Sequence, residues 1–168
     1  MRRLLVSIVL LSCLLPPAIA AAAPSWRGWD DGLASAARLG RPVLADVYTD
    51  WCGWCRRMDR DVYERADIQA YVAAHFVPVK LDAEGRAMVR YEGRETTGAT
   101  LASRLGVRGY PTTVFLDARG RRLLNVPGYV PADRFLLLLR YVAEGHAERG
   151  VSFDDFARSP AARAPARR

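Results

Sequence analysis

Tyr48-Thr49-Asp50-Trp51-Cys52-Gly53-Trp54-Cys55 decides how this chain is read. Two thiols separated by two residues can close a small disulfide, reopen it and hand electrons to another protein. Everything else is weighed against that pair.

The chain has three cysteines, and Cys13 lies in a leader expected to be removed, which leaves this one pair. A structural staple usually closes a longer loop, because the entropy removed from the unfolded chain grows with loop length. A closed zinc site needs two further Cys or His ligands. The two histidines, His75 and His146, are isolated from one another, and no second Cys pair exists. Arg56 follows Cys55 where covalent c-type haem attachment requires His. The residues therefore point to redox work, with no metal and no cofactor.

At 168 residues and 51% hydrophobic content, the chain suits one domain with its own core. Its N-terminus carries Arg2 and Arg3, an apolar run from Leu4 to Leu15, Pro16-Pro17, and small residues from Ala18 through Ala23. This order reads as a secretory signal peptide over residues 1–22, cut between Ala20 and Ala22. The run is shorter than the roughly 20 residues a spanning helix needs. Ser12-Cys13 offers a lipoprotein attachment site as the weaker alternative, since the large Leu11 and Leu14 flank it. Periplasmic export follows, and an oxidising compartment traps such a pair as a disulfide unless a donor keeps reducing it.

The chain carries 25 Lys and Arg against 18 Asp and Glu; losing Arg2 and Arg3 leaves 23 against 18. Arg158, Arg163, Arg167 and Arg168 sit in an Ala, Pro and Arg stretch without an acidic residue. Residues 147–168 thus read as a basic, solvated tail behind a domain of residues 23–146. Basic charge without an aromatic-rich or other nucleic-acid-binding signature does not make a nucleic-acid partner.

Trp26, Trp29, Leu33, Ala36 and Ala37 recur at helical spacing up to Leu39, and Gly40-Arg41-Pro42 ends that helix. Val43 to Tyr48 is an apolar run suited to a buried central strand, with Asp46 its one anomaly. Thr49 or Asp50 can cap a helix starting near Cys52, on which Cys55, Met58, Asp59 and Val62 share a face. A helix over Asp67–His75 and a strand over Phe76–Asp82 follow. Ala83 to Ala99, with Gly85, Gly93 and Gly98, reads as a long loop or small hairpin, and Leu101 to Leu105 as helical. Pro111 opens a hairpin of Thr112–Leu116 and Arg121–Val126. Pro131 starts a helix to about Glu144 with Phe135, Leu138, Leu139 and Val142 inward, closed by Gly145.

An Asp in a buried strand, then Trp-Cys-Gly-x-Cys at a helix start, then Gly109-Tyr110-Pro111-Thr112 before a hairpin and last helix resemble the thioredoxin superfamily. The resemblance covers Trp26 to Glu144. Trp26 to Tyr63 looks like the exported reductases related to the C-terminal domain of DsbD, and Leu101 to Tyr129 is similar to SoxW-type periplasmic thioredoxins. It implies an α/β thioredoxin fold, a central mixed sheet flanked by helices, with Ala83–Ala99 inserted before the cis-proline loop. Trp54 stands where ordinary thioredoxin has proline.

Cys52, at a helix N-terminus, is the expected nucleophile, and Cys55 the resolving thiol. The resemblance gives Asp46 the role of shuttling the Cys55 proton; a structural hydrogen bond at a strand end is the alternative, with Lys80 a candidate charge partner. It also implies a cis Pro111 that exposes the Tyr110 backbone for pairing with a client, against an ordinary trans proline opening an edge strand. Trp51, Gly53, Trp54 and Tyr110 are the candidate client rim, with Trp51 equally open to a packing role. Gly128 either lets clients approach or simply serves a turn. His75 and His146 are read as surface or packing residues.

The expectation is a monomeric, exported thiol–disulfide oxidoreductase that reduces client-protein disulfides and is recharged by a membrane-embedded electron-transfer protein. The alternatives are the oxidase or isomerase direction, a dithiol Cu(I) carrier, which lacks a Met-rich or nearby His ligand, and a degenerate fold used only for interaction.

Overall fold

Val43–Tyr48 forms β1, buried along nearly its whole length, because both faces of the strand are covered. The computed structural model describes residues 24–163; the leader, Cys13, Arg167 and Arg168 lie outside the described residues. β1 pairs in parallel with β2 (Val77–Asp82) and antiparallel with β5 (Thr112–Leu116), which pairs antiparallel with β6 (Arg122–Pro127). The sheet order is β2-β1-β5-β6. A parallel β1–β2 pair requires a long crossover. It is supplied by α2 (Gly53–Met58), a π-helical turn over Asp59–Tyr63, and α3 (Ala66–His75).

Alternation along β1 splits the core. Leu44 faces Met58, Phe115, Phe135 and Leu139, under α2, α3 and α5 (Ala132–Ala143). Val43, Ala45 and Val47 face Trp29, Ala36, Val79 and Leu101, under α1 (Trp29–Leu39) and α4 (Gly98–Arg104). This is the thioredoxin fold, with a mixed sheet flanked by helices.

α1 begins at Trp29, not at Trp26. Trp29, Gly32, Ser35 and Ala36 are its buried residues; Leu33 packs half-buried against the same core, and Ala37 is exposed. Trp26 instead lays its ring 5.0 Å from that of Tyr63. Arg27 bridges to β2: its N–H donates to Pro78 O at 3.1 Å, and Lys80 N–H donates to Arg27 O at 2.9 Å.

The 83–99 segment contains a hairpin, β3 (Met88–Tyr91) against β4 (Arg94–Thr97). Glu92 and Gly93 turn it with φ of 50° and 75°, the left-handed pair of a two-residue turn that matches strand twist. The hairpin is tied to α1: Trp29 Nε1 donates to Arg90 O at 3.1 Å, and Arg90 N–H donates to Asp30 Oδ1 at 2.8 Å. A side chain at Gly98 would collide with the Asp82 carbonyl, so glycine lets the chain return against the end of β2.

The expected solvated end is corrected over 153–163. α6 (Phe153–Arg158) and α7 (Pro160–Arg163) fold back onto α5, and Phe156 is 1% exposed among Tyr141 and its neighbours. Buried Arg140 donates to Ala161 O at 2.7 Å and Ala162 O at 2.8 Å. The Ala, Pro and Arg composition hides this because a few residues, Phe156 with Phe153 and Val151, make the contact. Phe156→Ala is expected to cost about 3–5 kcal/mol of unfolding free energy. Urea denaturation checks it, and a loss within about 0.5 kcal/mol would mean the segment adds nothing to the core.

Candidate active site

Cys52 itself caps α2. Its φ and ψ are −70° and 103°, and its Sγ accepts from the Cys55 N–H at 3.1 Å. The sulfur thus stands where a serine or aspartate oxygen usually satisfies a free first-turn N–H. Thr49 and Asp50, the expected caps, do not cap. Thr49 accepts the Cys52 N–H on its carbonyl at 3.1 Å, and its hydroxyl is buried without a hydrogen-bond partner among the described residues. Cys52 and Cys55 form a disulfide with Cα atoms 5.3 Å apart, both residues buried in this state.

Strand register assembles a buried polar centre on β1. Asp46 lies opposite Lys80 on β2 and opposite Thr113 on β5. Asp46 is 1% exposed; Lys80 Nζ donates to its Oδ2 at 2.6 Å and Tyr63 OH to its Oδ1 at 3.4 Å. Tyr63 OH also shares a hydrogen bond of 3.1 Å with Thr113 Oγ1. The Lys80 ammonium is divided between two acids, reaching Asp59 Oδ1 at 2.5 Å. It sits over the rings of Trp26, Tyr48 and Tyr63 at 4.9, 5.2 and 5.5 Å, where the ring quadrupoles favour a cation.

Burial pushes the Asp46 carboxyl above its ordinary value; the Lys80 ion pair pulls the other way, and the Asp59 charge adds to the rise. Burial opposes the Lys80 charge, but its two carboxylate partners outweigh that and raise its pKa. Tyr63 is pushed well above the ordinary tyrosine value, by burial first and then by the Asp46 charge. Asp59 and Tyr63 are the first and last residues of the π-helical turn. Helical spacing in the sequence placed Asp59 on an inward face, but its pairing with Lys80 needed the fold.

The Tyr110–Pro111 peptide is cis. Gly128, at φ +81°, donates its N–H to Pro111 O at 2.8 Å. Trp54, Tyr110, Pro111, Gly128 and Tyr129 line one shallow groove. Trp51 and Trp54 are 64% and 55% exposed. Trp51 meets the Tyr110 ring edge-on at 6.1 Å and donates from Nε1 to Glu84 Oε2 at 2.8 Å. Trp54 tilts against Tyr129 at 5.7 Å. Gly53, exposed at the first turn of α2, has ample space for a side chain. Tyr129, Glu84 and Arg57 were not singled out from the sequence; adjacency of Tyr129 to Gly128 was the one available signal.

His75 and His146 are remote from this centre in the chain and line a separate cavity with Tyr71, Glu144 and Arg149. The His75 ring lies 4.3 Å from that of Tyr71. Among the described residues, no three His, Cys, Asp or Glu side chains gather as a metal site.

A Cys-x-x-Cys disulfide capping the helix that follows the central strand can perform thiol–disulfide exchange, the chemistry of the thioredoxin type. The chain belongs to the thioredoxin-like domain family, whose model matches residues 29–143. It is 34% identical over 112 residues to the thiol:disulfide interchange protein DsbD of Ralstonia nicotianae, covering 66% of this chain and 17% of that protein. It thus spans about a sixth of the length of that relative. The disulfide bond reductase DsbH of Chlamydia pneumoniae is 27% identical over 114 residues, covering 67% of this chain and 68% of DsbH. A solution structure of a Thermus thermophilus thioredoxin superposes with a TM-score of 0.62 at 26% identity, covering 77% of this chain and 94% of that one.

Proposed function

We propose that this chain is an exported thiol–disulfide oxidoreductase that reduces disulfides of periplasmic client proteins and is itself reduced by a membrane-embedded electron-transfer protein. The observation that carries the reading is the Cys52–Cys55 disulfide at the start of α2, on a chain whose central strand buries the carboxyl of Asp46. The leader pattern of residues 1–22 supports export, and the similarity to a protein named a disulfide bond reductase supports the reducing direction.

In the reduced protein the first-turn N–H groups stabilise the Cys52 thiolate. That thiolate attacks one sulfur of a client disulfide, and the other client sulfur leaves as a thiolate and takes up a proton. Asp46 accepts the Cys55 thiol proton. The Cys55 thiolate then attacks Cys52 Sγ, the mixed disulfide breaks, and the client leaves with both sulfurs reduced. Two electrons pass to the client, and the donor returns two by the reverse steps. The groove formed with Tyr110, Pro111 and Gly128 seats the client as an extended segment beside Cys52, with Trp51 and Trp54 as its apolar rim.

The reduction potential of the Cys52–Cys55 couple tests this, by equilibration of the purified protein with dithiothreitol or glutathione mixtures. A value near the thioredoxin level of about −270 mV is expected. One near about −120 mV would make the protein an oxidant, and no reversible couple would remove the enzymatic reading.

A further inference from the structure

The groove beside the disulfide carries a charge that the exchange chemistry does not use. Arg57 projects from α2 with its guanidinium carbon 5.3 Å from the Trp54 ring centre and 5.4 Å from that of Tyr129. Its Nε donates to Asp61 Oδ2 at 3.0 Å, one turn along the helix. Two rings and a carboxylate therefore hold the guanidinium beside the groove, while the side chain stays 53% exposed. Among the described residues, neither Nη1 nor Nη2 has a hydrogen-bond partner. An arginine pre-oriented in this way presents two parallel donors and loses little freedom on engaging a carboxylate.

The opposite flank has the other sign. There Glu84 accepts from Trp51, whose ring meets Tyr110. The aromatic rim thus has an arginine with free donors beside the Trp54–Tyr129 pair and a carboxylate beside the Trp51–Tyr110 pair. An acidic segment is repelled at one end and received at the other, within a chain of net charge +7.

We propose that Arg57 is the specificity residue of the groove, receiving an acidic side chain that lies close to the reacting cysteine of an extended client segment. This rests on the reductase reading above and names the class of client it acts on. Arg57 takes no part in breaking the disulfide; it sets which disulfides are presented to Cys52. Successive residues of an extended segment rise by about 3.3 Å, so the acid lies within a few residues of the cysteine.

The test uses the full chain in its reduced form and a set of peptide disulfides identical except for Glu, Gln or Lys placed one to three residues from the cysteine, on either side. Rates are followed by the fluorescence change of the tryptophans that flank the dithiol. The Glu peptide is expected to react about 5-fold faster than the Gln peptide at its best position, the scale of one exposed ion pair. The preference should shrink as salt is raised. Arg57→Gln should bring the Glu-to-Lys ratio to about one, and Arg57→Glu should invert it. Because the readout is a ratio of rates, a general loss of activity in a variant does not mimic it. Equal rates for the three peptides, or a preference that survives Arg57→Gln, would overturn the proposal. Failure of the unmodified protein to reduce neutral 2-hydroxyethyl disulfide would instead remove the reductase reading beneath it.

Discussion

Cys52→Ser is expected to abolish turnover, while Cys55→Ser keeps the first attack and accumulates a mixed disulfide with the client. Exposure does not tell the two thiols apart, since the paired residues are 4% and 3% exposed. Their places on the helix do. Cys52 is the cap residue, and its sulfur already receives the Cys55 N–H in the oxidised state. On reduction that N–H and its first-turn neighbours face a sulfur that can carry negative charge, so the thiolate is favoured there. Serine at Cys52 supplies no such nucleophile at neutral pH. Serine at Cys55 removes the group that releases the client, and the intermediate persists. Mass spectrometry of the protein after mixing with a peptide disulfide checks both variants. An adduct on Cys52→Ser and none on Cys55→Ser would reverse the roles.

Asp46→Asn is expected to slow release of the client about 100-fold at neutral pH, the low end of what a positioned general base contributes. The first attack by Cys52 should change far less, so mixed disulfide accumulates briefly in single-turnover experiments. The same variant should be more stable than the parent at neutral and alkaline pH. The sign follows from the raised pKa. Burial lifts the folded-state carboxyl above 3.8, its ordinary value, so the folded protein holds that proton more tightly than the unfolded chain. The favourable contribution is full below the unfolded value and is lost as pH rises through the folded one. Asparagine does not titrate, and Lys80 keeps Asp59 as its partner. Urea midpoints of parent and variant should therefore diverge, in favour of the variant, as pH is raised from about 4 to 8. Parallel curves would show that the folded-state pKa of Asp46 is not raised, and unchanged release kinetics that its carboxyl is not used.

The legibility of these residues in the sequence followed how local their cause is. The Cys52–Cys55 spacing, the apolar β1 run and the Thr112–Val126 hairpin are set by neighbours a few positions apart, and the structure has them with small shifts at their ends. Asp46 stood out because an acid in an apolar strand needs a partner. Which partner it takes depends on the register of β1 against β2, and that register is fixed by the whole crossover. Asp59 was less legible: its spacing gave a helix face, not a second claim on Lys80. Trp26 was misplaced because a stripe of large residues looks helical whether or not the backbone has begun to coil. The capping of α2 by a sulfur was hidden by two ordinary cap residues, Thr49 and Asp50, just before it. The C-terminal helices were missed because their few strong apolar residues, Val151, Phe153 and Phe156, stand in a stretch whose average composition is that of solvated chain.

Arg27 and Trp26 lie before residue 29, where the family match begins, yet neither is a dispensable arm. The Arg27 carbonyl fixes the backbone of Lys80, and the Trp26 ring roofs the Lys80 ammonium. The same short bridge occupies the outer side of β2 at Val79, a place where an unpaired strand would invite another chain to add. Cutting the chain back to the boundary of its family would therefore loosen the lysine that neutralises Asp46 and bare a sticky edge at the same time. The outer edge of the sheet and the placement of the Asp46–Lys80 pair share one pair of backbone hydrogen bonds contributed by a residue outside the recognised domain.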